Sequence, residues 1–282
     1  MLSRFHHAAD KATKALFGAT NNSLLSVLVK CFSSMVEQKK ESSSKVQALY
    51  DLCKKTFAPS QPSPPPPLAV QSICSLLDSF SPADLGLQED NLDDDGGLGF
   101  FGFQQFRSAG WAKPLTYIDI YEGDHFTICI FCFPSSSVIP LHDHPGMTVF
   151  SKVLYGSLHL RGYDWVDPPR IQKGEDHDYP SVRLAKFAVD RLLTSSSGTS
   201  VLYPKSGGNL HCFTAVTPCA VIDVLAPPYS ENLGRRCTYY HDYPDTSSTN
   251  EKGDYAWLAN IDVPDDFYMR SGPYKGPTLH LY

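Results

Sequence analysis

Residues 138–156 read VIPLHDHPGMTVFSKVLYG, and this stretch decides how the rest of the chain is interpreted. His142 and His144 stand two residues apart after an apolar lead-in. On an extended strand successive side chains point to opposite faces, so both imidazoles project from one face while Asp143 points to the other. Two ring nitrogens can therefore converge on one metal ion.

A third histidine, His211, follows in the segment GNLH at the start of another apolar run. An H-x-H pair alone is often a surface pair or a pair satisfied inside a core. The turn at Gly156 and the later G-x-x-H make metal ligation by His142, His144 and His211 the favoured interpretation. The other histidines lack a partner at ligand spacing, and two of them, His125 and His159, are predicted to lie within strands. These residues, expected to have surface or structural roles, are His6, His7, His125, His159, His177, His241 and His280.

The order H-x-H, glycine turn, G-x-x-H resembles the two sequence motifs of the cupin family. The glutamate usual in those motifs would fall at Val149, which cannot ligate a metal. Three neutral imidazoles are therefore predicted as the protein ligands, and they leave Fe(II) three open positions. A cysteine substrate can use such positions through its thiolate and its amine beside O₂, and both oxygen atoms would end on sulfur as a sulfinic acid. We expect one Fe(II) per chain and no organic cofactor.

From about residue 117 the sequence changes to short β-branched and aromatic runs separated by Gly, Pro and Asp, which predicts an all-β sandwich or barrel. Closure into a jelly roll protects strand edges, so the predicted fold is mainly β, a cupin double-stranded β-helix with short N-terminal helices. The predicted strands lie at residues 117–121, 125–133, 148–154, 157–165, 183–189, 200–203, 210–215, 220–225 and 236–240.

Three regions are predicted along the chain. Residues 1–45 form a basic leader that is expected to be disordered, and residues 1–34 share the composition of organellar transit peptides. Residues 46–103 form a helical extension. Residues 104–282 form the β domain that carries the three histidines.

The extension contains two predicted helices, at residues 46–57 and 70–80. The proline run QPSPPPP at residues 61–67 is expected to be an extended polyproline segment between them. An acidic, glycine-rich loop or linker is predicted at residues 89–102.

Composition excludes several classes of protein. With 24 basic and 30 acidic residues the net charge is −6, which argues against direct nucleic-acid binding. No apolar run reaches the roughly 20 residues of a membrane-spanning helix. The eight cysteines are scattered without a secretory signal, so reduced thiols in an intracellular protein are expected. Cys129 and Cys132 have C-x-x-C spacing, but on a strand they face opposite ways and are interpreted as buried thiols.

Several segments resemble those of plant cysteine oxidases, and the similarity runs from about residue 46 to the C-terminus. They are IPLHDHPGMTVFSKVLYGSLHLRGYDW (139–165), LYPKSGGNLHCFTA (202–215), DVLAPPYS (223–230), RRCTYY (235–240) and PDDFYMRSGPYKGP (264–277). The resemblance implies a cytosolic or nuclear enzyme that uses O₂ and non-haem iron to convert the N-terminal Cys of protein substrates to the sulfinic acid. In that family the substrates include group VII ethylene-response factors, whose oxidation feeds an oxygen-dependent degron. We expect a monomer.

The resemblance also implies site residues. The family's iron ligands correspond to His142, His144 and His211. Its active-site aspartate corresponds to Asp223, its active-site tyrosine to Tyr229, and a cysteine near the pocket to Cys237.

The residues alone leave these last three roles open. Asp223 is the one carboxylate in the apolar run 220–225, so it needs a partner, which is a substrate amine, an imidazole N–H or the backbone. Tyr229 either caps a loop or presents its hydroxyl to the substrate. Cys237 is either a buried strand thiol or a functional one.

Two other functions also stay open. A small-thiol dioxygenase acting on free cysteine or cysteamine would need an arginine for the carboxylate of free cysteine, and Arg161 and Arg183 are candidates. A non-catalytic cupin that senses a metal or a small ligand would carry the same histidines without consuming O₂.

Overall fold

The computed structural model describes residues 44–87, 114–173, 180–245 and 254–281. The predictions for the leader up to residue 43, for the linker at residues 89–102 and for His177 lie outside these ranges. None of the helices in the described ranges has the length and apolar character needed to cross a membrane.

Two short helices begin the described chain, α1 at Lys45–Thr56 and α2 at Pro67–Asp78, followed by a 3-10 turn at Pro82–Leu85. Both helices were predicted, but α2 begins three residues earlier than expected. Proline is tolerated at the first helical position, where no N–H is needed, so Pro67 opens the helix and the extended proline segment ends at Pro66.

The helices pack against the outer face of a β-sheet. Their fully buried side chains form one cluster with side chains of that sheet, and the cluster includes Val46, Leu49, Cys53, Ile73, Leu77, Phe126, Ile128, Ile130 and Phe150. The helical extension therefore shares a hydrophobic core with the β domain.

The described ranges contain thirteen strands in two sheets. The strands are β1 Leu115–Glu122, β2 Thr127–Phe133, β3 Val138–Asp143, β4 Thr148–Tyr155, β5 Ser157–Trp165, β6 Ile171–Gln172, β7 Val182–Thr194, β8 Ser200–Leu202, β9 Leu210–Ala215, β10 Cys219–Ala226, β11 Tyr239–Pro244, β12 Tyr255–Ile261 and β13 Met269–Gly272. The first sheet has the order β13-β1-β2-β10-β4-β8 and the second the order β12-β11-β3-β9-β5-β7-β6. The chain crosses repeatedly between two sheets that share an apolar core, which confirms the predicted jelly roll.

The second sheet also closes on itself, which was not predicted. Strand β12 pairs with β7 as well as with β11, so that β12, β11, β3, β9, β5 and β7 form a ring. We call this ring the small barrel. Its own cluster of buried side chains comprises Leu141, Tyr163, Ala185, Leu210, Ala256 and Leu258. The second sheet therefore has a core on each face.

Several strand predictions need correction. Strand β2 begins at Thr127, and His125 lies outside it in a hairpin turn where the Gly123 amide donates to the Phe126 carbonyl at 3.2 Å. Strand β11 lies at Tyr239–Pro244 rather than at residues 236–240, and β7 extends to Thr194. Strands β3, β6, β12 and β13 were not among the predicted strands.

The pair of cysteines behaves as predicted. Cys129 lies in an interior cluster between the two sheets, whereas Cys132 lies in the cluster beneath the helices. Both thiols are buried and free. Among the histidines predicted to lie on strands, His159 is on β5, partly buried, and paired with Asp190 at 2.5 Å.

Candidate metal centre and active site

Three buried histidines meet in the interior between the two sheets. His142 is the second-last residue of β3 and is directly opposite His211 on the neighbouring strand β9, while His144 follows just beyond the end of β3. Their ring centroids lie 4.8 to 4.9 Å apart, and one nitrogen from each ring can be chosen so that all three lie within 4.8 Å of one another. The structure thus brings together the three residues that the sequence selected.

Backbone carbonyl groups fix the tautomer of each ring. The Nδ1 atom of His142 lies 2.8 Å from the Pro140 carbonyl oxygen, that of His144 lies 3.2 Å from the oxygen of Asn209, and that of His211 lies 3.3 Å from the oxygen of Gly208. A carbonyl oxygen only accepts, so each Nδ1 carries the proton and donates. Each Nε2 is left with a free lone pair for a metal ion.

Burial also keeps the three imidazoles neutral. It lowers the pKa of His142 from 6.5 to about 4 and holds the pKa values of His144 and His211 well below the ordinary value. Three neutral nitrogen donors in a buried cluster fit a first-row divalent metal. Val149 is buried, and no carboxylate or thiol joins the three histidines within the described part of the chain.

Asn209 secures the turn that carries His144, and the sequence reasoning missed this residue. Its side-chain oxygen accepts from the His144 amide at 3.2 Å, and its side-chain nitrogen donates to the His144 carbonyl at 2.8 Å. The same nitrogen donates to the carbonyl of Tyr203 at 2.9 Å. Its place inside the G-x-x-H segment, next to a predicted ligand, was the available signal.

Asp164 and a glycine position the loop that leads into β9. The carboxylate of Asp164 accepts from the amides of Gly208 and Asn209 at 3.0 and 2.9 Å. Gly208 has a φ of +84°, and a Cβ there would lie 2.9 Å from a methyl carbon of Val189. A glycine is therefore required where this loop presents His211.

Asp223 faces the same interior as the histidines. In β10 the residues Ala220, Ile222 and Val224 face the helices, so alternation turns Asp223 towards the second sheet. Its side chain accepts from the Ser151 hydroxyl, while Oδ1 is buried without a hydrogen-bond partner among the described groups. Burial raises the pKa of Asp223 from 3.8 to about 7.

Tyr229 and Cys237 lie beside the histidines. The Tyr229 hydroxyl donates to the Asp143 carbonyl at 2.8 Å, and its ring centroid lies 5.5 Å from that of His144. The Cys237 thiol is hydrogen-bonded to the hydroxyls of Tyr229 and Tyr239, and burial raises its pKa. Tyr229 thus contacts the backbone between two predicted ligands, and its role towards a substrate stays a prediction.

The two arginines considered for a substrate carboxylate lie on the opposite face of the second sheet. Arg161 contacts the Tyr163 hydroxyl at 2.5 Å and the Asp242 carboxylate at 3.3 Å. The guanidinium of Arg183 stacks over the ring of Trp165 at 4.3 Å. Neither side chain faces the histidines.

A small cavity adjoins His211. Its volume is about 30 Å³, and its lining includes Ser151, Phe213, His211 and, at the outer edge, Arg191. Arg191 donates to the Ser200 hydroxyl at 2.6 Å across the open edge between β7 and β8. The cavity has room for one molecule of the size of water.

Fold and site together define a cupin with a buried cluster of three histidines that could hold a metal ion. The chain belongs to the family described as PCO_ADO, which it matches over residues 76–279. It is 43% identical over 246 residues to plant cysteine oxidase 2 of Arabidopsis thaliana, with 83% of each chain covered. It is 39% identical to plant cysteine oxidase 1 of the same plant, with 83% of this chain and 80% of the relative covered.

A mammalian relative is also similar. Mouse 2-aminoethanethiol dioxygenase is 36% identical over 184 residues, which cover 59% of this chain and 72% of the mouse protein. Family and relatives together establish the chain as a thiol dioxygenase.

Proposed function

We propose that this thiol dioxygenase binds Fe(II) through His142, His144 and His211 and converts the N-terminal cysteine of protein substrates to cysteine sulfinic acid. The observation that carries the proposal is the buried, neutral histidine cluster with the unpaired carboxylate oxygen of Asp223 in the same interior. The similarity to plant cysteine oxidases favours a cysteine substrate. Iron, when bound, supplies the redox chemistry that activates O₂.

The overall reaction needs no external reductant. The substrate thiolate and one O₂ combine so that both oxygen atoms form bonds to sulfur. Sulfur loses four electrons and O₂ gains four, and the product is the sulfinate.

Asp223 is suited to receive the substrate's α-amino group. A free α-amino group has a pKa of about 8, and burial raises the pKa of Asp223 to about 7. The two values are close, so a proton passes between the ammonium and Oδ1 with little change in free energy. The amine can thus be held as a hydrogen-bond donor to Oδ1 without leaving a permanent charge in the interior.

The similarity to plant cysteine oxidases favours a peptide N-terminus over free cysteine, whereas the arginines do not decide between them, because Arg191 lines the cavity beside His211. Free cysteine carries a carboxylate that needs a cationic partner, and Arg161 and Arg183 lie on the other face of the sheet. Cysteamine has no carboxylate, and relatives include 2-aminoethanethiol dioxygenases, so it is the second candidate substrate. Membership in a thiol dioxygenase family disfavours the non-catalytic sensor.

Mass spectrometry tests the proposal. Iron-loaded protein is incubated in air with a peptide that begins with Cys, with the same peptide N-acetylated, and with cysteamine. We expect the free peptide to gain two oxygen atoms and the acetylated peptide to stay unchanged, because the amine takes part in binding. His211→Ala is the control for iron dependence. Turnover of cysteamine alone would replace the proposed substrate class, and equal turnover of both peptides would contradict the role of the amine.

The resemblance to plant cysteine oxidases also supports proposals about the protein substrates, the location in the cell and the oligomeric state. Group VII ethylene-response factors are proposed as substrates, with the product feeding an oxygen-sensing degron in the cytosol and nucleus. A monomer without direct contact to nucleic acid is the proposed working form. Light scattering on the purified protein checks the oligomeric state, and persistence of such a factor in aerobic cells that lack the enzyme checks the substrate.

A further inference from the structure

Asp143 separates two of the predicted metal ligands and points away from them, towards the small barrel. Its carboxylate is buried and accepts two hydrogen bonds, from the amide of Thr238 at 2.9 Å and from the hydroxyl of Tyr240 at 3.0 Å. Its own amide donates to the Thr238 carbonyl at 3.1 Å, and its carbonyl accepts from Tyr229. The residue between the two histidines is therefore held at every polar atom.

This part of the backbone needs such support. Strand β3 ends at Asp143, so His144 lies beyond the last residue of the strand. The register of β3 with β9 is also irregular between Ile139 and His142. A metal site requires its ligands within roughly 0.5 Å of the productive geometry, and strand pairing alone does not provide this for the H-x-H segment.

The small barrel can support the backbone that carries His142 and His144, because Tyr240 is itself held firmly. Its ring packs edge-on against Trp165 at 5.4 Å, and the Arg183 guanidinium covers Trp165 from another side. Its neighbour Tyr239 is paired directly opposite His142. Strand β11 therefore reaches the metal-ligand segment through both its backbone and the hydroxyl of Tyr240.

We propose that Asp143 and Tyr240 are positioning residues of the metal centre, through which the small barrel holds His142 and His144 in a metal-binding geometry. This inference rests on the proposed metal role of the histidines and is independent of the substrate. Asp143 and Tyr240 act on the backbone between the ligands and do not contact the metal.

The chain offers a matched control. The hydroxyl of Tyr163 donates to the Asp242 carboxylate at 2.9 Å inside the same small barrel, but Asp242 is not adjacent to a predicted ligand. Tyr240→Phe and Tyr163→Phe each remove one hydroxyl that binds an aspartate and leave the aromatic ring in place. The two variants differ in whether that aspartate lies between the histidines.

The experiment measures Co(II) affinity by competition with a chelator, the visible spectrum of the bound Co(II), and thermal unfolding of each metal-free protein. We expect Tyr240→Phe to weaken Co(II) binding by about tenfold and to change the spectrum, as outer-sphere substitutions do. Tyr163→Phe should keep the wild-type affinity and spectrum, although both variants lose some thermal stability. Asp143→Asn retains an acceptor oxygen and should lose less affinity than Asp143→Ala.

Equal Co(II) affinity in wild type and Tyr240→Phe would overturn the inference, and so would an equal loss in Tyr163→Phe. Failure of the wild-type protein to bind Co(II) would overturn it together with the proposed metal site. A wild-type protein that binds Co(II) but, when loaded with iron, does not oxidise a Cys-initiated peptide would refute the proposed substrate. The role of Asp143 and Tyr240 would then still be decided by the difference in Co(II) affinity between wild type and Tyr240→Phe.

Discussion

Asp223→Asn removes an ionisable group from the interior while keeping the shape of the side chain. In the metal-free protein the effect is measured as a change in the free energy of unfolding. Burial raises the pKa of Asp223 from 3.8 to about 7. At a pH between these two pKa values, Asp223 is protonated in the folded protein and ionised in the unfolded chain. Because the folded state binds more protons there, the contribution of Asp223 to stability is retained at low pH and decreases as pH rises towards 7.

The size of the effect follows from the pKa difference. One pKa unit corresponds to about 1.4 kcal/mol, so the carboxyl destabilises the folded state by roughly 4 kcal/mol once it is ionised in both states. An asparagine contributes no such pH dependence. We therefore expect the free energy of unfolding of Asp223→Asn, relative to wild type, to rise by about 2 kcal/mol between pH 5 and pH 7.

The three buried histidines make the free energy of unfolding depend on pH in the opposite direction. Their contribution is the same in wild type and in Asp223→Asn, so it cancels in the difference between the two proteins. Burial lowers the pKa of His142 to about 4, so the unfolded chain binds more protons than the folded one between that pH and 6.5. Stability therefore falls on acidification below pH 6.5 in wild type and variant alike. The difference between the two proteins isolates Asp223.

Urea denaturation of the metal-free proteins at pH 5, 6, 7 and 8 measures the difference, with Asp124→Asn as a variant of an exposed aspartate. A difference between wild type and Asp223→Asn that does not vary with pH would refute the raised pKa and the burial argument behind it. In the iron-loaded protein we expect Asp223→Asn to retain iron and to lose roughly 10- to 100-fold of its turnover. Wild-type turnover would assign Asp223 a structural role.

Three further predictions concern the ligands, a turn and the leader. His142→Ala should lose most of the bound iron, because two remaining protein ligands hold a divalent metal poorly. Elemental analysis measures the iron content. A wild-type protein that contains stoichiometric zinc and is inactive would contradict the redox function. Gly156→Ala should lower the free energy of unfolding by at least about 2 kcal/mol, since φ is +74° and a Cβ would lie 2.1 Å from the Pro218 carbonyl oxygen. Gly146→Ala, with φ +70° and nothing within 4 Å, should lose only about 1 kcal/mol in the same urea titration. Deleting residues 1–34 should leave iron content and peptide oxidation intact and affect only location, whereas a lost cooperative melting transition would show that the segment packs on the domain.

The histidine centre could be predicted because its signals are local. Strand alternation predicted His142 and His144 on one face, although β3 ends at Asp143, and His211 lies at the start of the apolar strand β9. Asp223 stood out as a carboxylate in an apolar run, and the structure buries it as that pattern requires. Each of these inferences needed only the pattern of a short stretch of sequence.

Contacts between distant segments could not be predicted in the same way. Asn209 acts on His144, which is 65 residues away, and Tyr240 acts on Asp143 across 97 residues. The faces occupied by Arg161 and Arg183 depend on a small barrel that closes through the pairing of β12 with β7. Pairing between strands is fixed by tertiary packing and leaves no local pattern.

Strands with little burial were missed for a related reason. Strand β6 has two exposed residues, and β13 has no buried residue among its four. Alternation of apolar and polar residues appears only where one face is buried. Such strands form because a neighbouring edge accepts them, as β1 accepts β13 in a parallel pair.

The acceptors that orient the three imidazoles are main-chain oxygens, so no single side-chain substitution removes one of them directly. In many metalloproteins a carboxylate side chain performs this task, and one substitution removes it. Here the acceptors are the carbonyl groups of Pro140, Gly208 and Asn209, which no substitution removes, although Gly208 and the Asn209 side chain are still needed to shape the loop and the turn. The tautomers that present Nε2 are therefore inherited with the backbone, and apolar side chains of the cavity such as Val149 and Leu202 can change, in evolution or by engineering of substrate range, without removing these acceptors.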